Sequence, residues 1–435
     1  MPERLSTEEA EPSSPHQSSS PVVHKTAPAG HYKLVVEGLL FGMQAVLGIV
    51  WMAPAPLLSI IIEHYSINRA AAGLVISLIS IALTFAAIPG AVVAAKIGAK
   101  RAVLLGGLLM ATAIFVPIID SFPVYLTTRL LLGGGLALIG PAVAALMMQW
   151  FESQELPIVN GLNLVAVSIG ISIALFIAVP MSEAMGWKTT LGLTGLLALG
   201  LALAWLVLGR ERASPRQETG VFSASTSWRS IGQVLKNRVT LLMGLAVTGP
   251  FALYNALTSW LPTYYNQAFQ MPLASASSLT GLLNLVGIPA ALLGGILPSA
   301  IGLRRPFLLV PGVAMPFLAL GVFLTPNPLI LYPAVVALGI CLWVYVPSII
   351  TLPMELRAMT PALAGVMIAT GFGIGDVGAF VSPIAVGWVA DATGSYVPAF
   401  LLWSGLSWTL LVAALLLPET GPKGRVRPVS QASAP

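Results

Sequence analysis

The sequence predicts an all-α membrane protein, with twelve transmembrane helices in two pseudo-symmetric six-helix bundles. Three observations carry that prediction. Of the 435 residues, 57% are hydrophobic and 9% charged, more apolar surface than a water-soluble fold can cover. Twelve apolar runs are long enough to cross a bilayer, which takes about 20 residues of helix. The stretch Gly90 to Arg101, GAVVAAKIGAKR, recurs 204 residues later as Gly294 to Arg305, GGILPSAIGLRR, so the chain reads as two related halves.

Helices are the element expected, because in lipid each backbone polar group must be satisfied within its own segment. Spans are expected near 37–62, 70–95, 102–119, 122–148, 158–183 and 189–208 in the first half, and near 239–262, 273–298, 307–325, 329–351, 362–389 and 396–417 in the second. In the first span of each half Pro56 aligns with Pro262 at an offset of 206, a second landmark for the repeat. The chain divides into a disordered cytoplasmic tail (1–33), an N-terminal bundle (34–208), a central cytoplasmic loop (209–238), a C-terminal bundle (239–418) and a second cytoplasmic tail (419–435). The first tail is rich in Ser, Pro and Glu, with no apolar run behind a basic start, and reads as a disordered segment without a cleavable signal peptide. The central loop is either a flexible linker or carries a short surface helix around Trp228 to Leu235.

Lysine and arginine set the orientation. With both termini cytoplasmic, that side receives eighteen of the twenty-one: Arg4, Lys25, Lys33, Lys96, Lys100, Arg101, Arg210, Arg212, Arg216, Arg229, Lys236, Arg238, Arg304, Arg305, Arg357, Lys423, Arg425 and Arg427. Arg69 and Lys188 fall outside, and Arg129 lies within a span. A multi-pass protein of the cell membrane is expected, and the net charge of +5 is topological, with no basic aromatic face for nucleic acid. The single cysteine, Cys341, excludes a disulfide or thiolate–metal framework. His16, His24, His31 and His64 lie in the tail or at span ends, so no intramembrane metal pair is expected. GFGIGD (Gly371 to Asp376) lacks the strand-and-helix context of a nucleotide loop, and no Walker-type sequence occurs. No catalytic constellation and no cofactor are expected, which argues against an enzyme and against ATP-driven transport.

Charge at mid-membrane costs about 2.5–3.5 kcal/mol on insertion scales, so the few charged residues there are candidates by default. Arg129 lies about two turns into span four; it either attracts an anionic solute or braces neighbouring helices through carbonyls. Asp376 falls near the centre of span eleven among Gly371, Gly373 and Gly375, where a carboxylate can face a central cavity and carry a proton, or can bond to a neighbouring helix. Gln44, Tyr254 and Asn255, on the first span of each half, are candidates for orienting a small polar solute, with interhelical bonding as the alternative. Asn163, Ser168 and Ser172 read as small polar packing residues. Ser172 corresponds to Asp376 at the 204 offset, so the repeat is asymmetric there.

These stretches resemble the major facilitator superfamily from about residue 34 to 422. That family's loop between spans two and three has the form G-x-x-x-D-[RK]-x-G-[RK]-[RK]. Here the first copy supplies Ala91, Ala95 in the acid's place, Lys96, Gly98, Lys100 and Arg101; the second supplies Gly295, Ser299 in the acid's place, Gly302, Arg304 and Arg305. Arg129, Gly133 and Gly135 resemble the family's R-x-x-x-G-x-G signature in span four, and Gly387 to Phe400 and Leu417 to Lys423 are family-like. SWLPTYYNQ (Ser259 to Gln267), NLVGIPAALLGG (Asn284 to Gly295) and LPMELRAMTPALAGVM (Leu352 to Met367) look most like its cyanate/2-nitroimidazole transporter-like branch. The resemblance implies a secondary active transporter working by alternating access between two rocking bundles; the buried Arg129 points to a small anionic solute and the isolated Asp376 to proton coupling, and a monomer is expected. An exporter of amphipathic drugs and a non-transporting membrane sensor are the alternatives. The twin loops, Gly98, Lys100 and Arg101 with Gly302, Arg304 and Arg305, are expected to be gating loops weakened by the lost acid, their basic pairs left to cap helix C-termini or bind lipid phosphate.

Overall fold

The computed structural model describes residues 31–152, 154–212, 232, 236–356, 361–421 and 423. The surface helix expected at Trp228 to Leu235 lies outside the described residues, apart from Gly232. Among the described residues, 12 helices are long and apolar enough to cross a membrane. They are α1 (Tyr32–Tyr65), α2 (Arg69–Ile97), α3 (Ala99–Ile118), α4 (Phe122–Trp150), α5 (Leu156–Met185) and α6 (Trp187–Leu208) in the first half. The second half supplies α7 (Arg238–Phe269), α8 (Leu273–Ile301), α9 (Pro306–Phe323), α10 (Pro328–Glu355), α11 (Pro361–Thr393) and α12 (Val397–Leu416).

The helices overrun the apolar runs where polar residues find partners. α7 continues through Pro262 to Phe269 because the hydroxyls of Tyr264 and Tyr265 donate to the carbonyls of Phe323 and Val322, at 2.6 and 2.8 Å, in the last turn of α9. The break in α1 follows proline. α1 is helical over Tyr32–Met52, tightens into a 3₁₀ turn at Ala55–Leu57 and resumes at Leu58–Tyr65. Pro54 has no N–H, so the carbonyl of Val50, four residues earlier, loses its helical partner.

Both halves use the same neighbour pairs, α1 with α5, α2 with α4 and α3 with α6, repeated as α7 with α11, α8 with α10 and α9 with α12. Small residues let these pairs approach closely, as expected where lipid removes the hydrophobic drive between helices. Gly133 of α4 meets Ala82 of α2, and Gly339 of α10, at an offset of 206, meets Leu283 of α8.

At the end carrying most of the basic residues, hereafter the basic end, each bundle closes on itself. Gly98 (φ 90°) and Gly302 (φ 81°) turn the chain between α2 and α3 and between α8 and α9, in conformations that L side chains rarely adopt. A carboxylate from just past the last helix of the same half sits on each loop. Glu211 accepts the backbone N–H groups of Ala99 (3.0 Å) and Lys100 (3.2 Å), and Glu419 those of Arg304 and Arg305 (both 2.9 Å). Burial works against ionisation of Glu419, but the N–H groups of Arg304, Arg305, Gly421 and Thr420 hold its carboxyl below the usual carboxylate range. The acid lost from each loop therefore has a counterpart supplied from elsewhere in its own half. Arg305 also donates to the carbonyls of Ala414 and Leu415 in the last turn of α12, a C-terminal cap of the kind its sequence suggested.

Candidate functional site

The two bundles touch along two seams related by the internal repeat, α2 with α11 and α5 with α8, and again where the Ala55–Tyr65 end of α1 meets α7. On the first, a β-carbon at Gly73 would come within 2.6 Å of the Pro383 carbonyl oxygen, and one at Gly387 within 2.3 Å of the Arg69 carbonyl oxygen. Asp391 accepts the N–H groups of Arg69 (3.2 Å) and Ala70 (3.0 Å), so a carboxylate of one bundle caps the first turn of α2 in the other. The Arg69 guanidinium lies 3.7 Å from Asp391, donates to the Ala390 carbonyl at 3.1 Å and stands over the Tyr396 ring at 5.5 Å. On the second seam, the Ser277 hydroxyl donates to the Leu175 carbonyl, and Gly281 lies against Leu175 and Phe176. Among the described residues these are the hydrogen bonds and ion pairs that cross between bundles, and all lie at the end opposite the basic loops. Among the described residues the bundles are bonded to each other at one end only.

Asp376 lies on α11 seven residues before Pro383 and eleven before Gly387, hence on the same stripe, two turns from the Pro383 contact with α2. It is half-buried, and its carboxylate makes no hydrogen bond or ion pair among the described residues. The glycines beside it have a packing role: Gly371 and Gly375 let α11 approach Met243 and Val247 of α7.

Arg129 takes the bracing geometry. It is 3% exposed; Nε donates to the Val75 carbonyl (2.9 Å), Nη1 to Val50 (2.8 Å) and Nη2 to Trp51 (2.5 Å). Two of those acceptors are the carbonyls at the proline break in α1, so the guanidinium caps the C-terminal end of a half-helix where the dipole favours a cation. A cavity of about 10 Å³, room for roughly one water, lies beside it, lined in part by Tyr125, Thr128 and Thr194. Arg129→Met leaves three buried carbonyls without their donor, at about 1–3 kcal/mol each. Its thermal melting in detergent is expected to fall clearly below wild type, with Arg129→Lys between the two; equal melting of all three would remove the bracing role.

The remaining candidates are spread over both bundles. Gln44 is half-buried and makes no hydrogen bond among the described residues. Tyr254 donates to Asn284 Oδ1 at 2.5 Å, and Asn255 turns its amide back onto the Phe251 carbonyl of its own helix, leaving Oδ1 buried without a partner. Gly98, Lys100, Arg101, Gly302, Arg304 and Arg305 stay in the basic-end loops, far along the helices from these residues; Arg304 pairs with Glu355 at 2.8 Å.

Three residues were not singled out by sequence. Glu37, one turn into α1, is buried; its Oε1 accepts from Asn163 Nδ2 at 2.8 Å and its Oε2 has no partner. Lys33 four residues earlier suggests a solvated pair, but Lys33 reaches Glu155 at 2.5 Å instead. Asn284 and Trp343 join Tyr254 in the second bundle, the two rings 5.5 Å apart and edge to face. The signal for Asn284 was an amide at mid-span three residues before Gly287.

Two repeated six-helix bundles, bonded to each other among the described residues at the end opposite the basic loops, define a twelve-helix membrane fold. The sequence profile of the Major Facilitator Superfamily matches residues 40–377, and the chain belongs to that superfamily. It is 30% identical over 239 residues to an uncharacterized protein of Campylobacter jejuni, covering 54% of this chain and 73% of that one. It is 24% identical over 380 residues to the "Probable sulfoacetate transporter SauU" of Cupriavidus necator, covering 82% and 86%. Among solved structures, a point mutant of the nucleoside transporter NupG superposes with a TM-score of 0.73 at 17% identity, covering 88% of this chain and 99% of that one.

Proposed function

We propose that the protein is a secondary active transporter, working as a monomer, that moves a small anionic solute by alternating access with proton coupling through Asp376. The observation that carries this reading is the one-ended bonding between bundles: among the described residues the cross-bundle hydrogen bonds and ion pair lie opposite the basic loops, and Asp376 stands without a partner on the α2–α11 seam stripe. The distribution of lysine and arginine argues that the basic end and both termini are cytoplasmic, which makes this state inward-open.

Charge supports the coupling. Arg129 is occupied by carbonyls, so an anion entering the gap meets a carboxylate and no free guanidinium from that residue. At about 6 Å and an effective dielectric of about 20, two like charges repel by about 3 kcal/mol. A proton on Asp376 removes that repulsion, which couples the proton to the solute. The relative named for sulfoacetate favours an anionic cargo, and the stretches around Ser259, Asn284 and Leu352 favour the cyanate/2-nitroimidazole-like branch.

The test is uptake into liposomes holding the purified protein, with sulfoacetate, acetate, cyanate and nitrite supplied singly, with and without an inward proton gradient. Gradient-dependent accumulation of at least one anion is expected. Transport of amphipathic cations alone would transfer the protein to the drug-exporter reading.

A further inference from the structure

We propose that Asn284 and Trp343 form a charge-neutral oxyanion site, in which the side-chain amide and the indole N–H together hold a carboxylate or sulfonate oxygen of the solute. This rests on the transport reading above and names the chemistry that would recognise the cargo.

Two buried donors are left without acceptors. Asn284 is 0% exposed and its Nδ2 has no hydrogen-bond partner; Trp343 Nε1 is likewise buried and unpaired. Interiors rarely leave such groups unsatisfied, so each calls for an explanation. Tyr254 fixes both: its hydroxyl donates to Asn284 Oδ1, which leaves the amide's N–H₂ as the free end, and its ring meets the Trp343 indole edge to face at 5.5 Å. The donors also share one face of α8. Gly287 is one turn from Asn284, and a β-carbon there would lie 2.6 Å from Trp343 Nε1 and 2.1 Å from Cδ1, so glycine is what lets the indole reach this face.

Their place in the fold is on the seam that the repeat relates to Asp376's, although the residue equivalent to Asp376 itself is Ser172. Ser277 and Gly281 make the α5 contacts of the second seam, and Asn284 is the next residue inward on that stripe. Asp376 stands on the α2–α11 seam stripe two turns from Pro383, and Asn284 on the α5–α8 seam stripe one turn from Gly281. Both donors are shut off in this state, and separation of α8 from α5 as the opposite end opens would uncover them.

Donors without acceptors select an acceptor-rich ligand. A carboxylate or sulfonate has several lone pairs for the amide and indole N–H groups and adds the strength of a charged acceptor. A cation would have to share Asn284 Oδ1 with the Tyr254 hydroxyl. Neutral donors also hold an anion without a buried cation, consistent with a guanidinium at Arg129 that is already occupied.

The experiment measures binding and liposome uptake of sulfoacetate and acetate, with acetamide as acetate's neutral match, for wild type, Trp343→Phe, Asn284→Ala and Asn284→Asp. Trp343→Phe keeps an aromatic ring and removes only the donor. It is expected to weaken oxyanion affinity about tenfold, one hydrogen bond to a charged oxygen, with acetamide unaffected and thermal melting unchanged. Asn284→Asp, nearly isosteric, is expected to abolish oxyanion binding. If wild type carries these anions and Trp343→Phe and Asn284→Ala both keep their affinity within twofold, the donor site is overturned while transport stands. Equal losses for acetate and acetamide would reduce the pair to packing and overturn it. A wild type that binds neither oxyanion overturns the donor site, and anion transport as well if the other anions also fail.

Discussion

Asp376→Asn is expected to abolish accumulation of solute against its gradient while sparing exchange of solute across the membrane at equal pH. The substitution keeps size and hydrogen-bonding reach but cannot release a proton. The half-buried carboxylate has no partner among the described residues that the change would break, so folding and thermal melting should stay near wild type. A carrier that exchanges but no longer concentrates has lost its coupling ion, not its binding site. Accumulation in the presence of a proton gradient should fall to the level seen without one. A mutant that still concentrates solute with an unchanged dependence on the proton gradient would sink the coupling role.

Gly387→Val is expected to hold the latched end open. A β-carbon at this position would lie 2.3 Å from the oxygen and 2.4 Å from the carbon of the Arg69 carbonyl, backbone of the other bundle. Overpacking of this kind costs about 1–3 kcal/mol, and a coupling free energy of that size corresponds to about 5- to 150-fold in an equilibrium constant. The clash lies between bundles, not inside one, so the population of states should move before the fold does. Spin labels at Glu63→Cys and Ala392→Cys, both exposed at the latched end, on a Cys341→Ser background report it. Their separation should lengthen in Gly387→Val, and transport should fall. An unchanged distance distribution would remove the seam from the gating scheme.

The twelve spans and their pairing into halves were legible because hydropathy and a repeated glycine-and-basic loop survive in one dimension. The depth of Arg129 and the isolation of Asp376 were legible for the same reason. What Arg129 does was not, because its acceptors at Val50 and Trp51 depend on α1 and α4 being neighbours, although the missing N–H of Pro54 was visible. The lost acids of the twin loops were read directly as Ala95 and Ser299. Their counterparts, Glu211 and Glu419, lie over a hundred residues further along the chain, and only the folded half brings them back. Glu37 was not singled out because it is the first residue of the expected span 37–62, where a carboxylate reads as a span end. Asn284 and Trp343 are ordinary singly; Tyr254 and the bare backbone at Gly287 make them a pair.

The placing of ion pairs has a consequence for handling the protein. Lys33–Glu155, Lys188–Asp120 and Arg304–Glu355 each lie within one half, whereas Arg69–Asp391 joins the two. Its partners are part-exposed, so dissolved salt reaches it, and the Debye length shrinks from about 10 Å at 0.1 M to about 3 Å at 1 M. Raising ionic strength therefore weakens the ion pair between halves along with the exposed pairs Lys33–Glu155 and Lys188–Asp120 within the first, which makes buffer composition a variable to hold fixed whenever the contact between halves is measured.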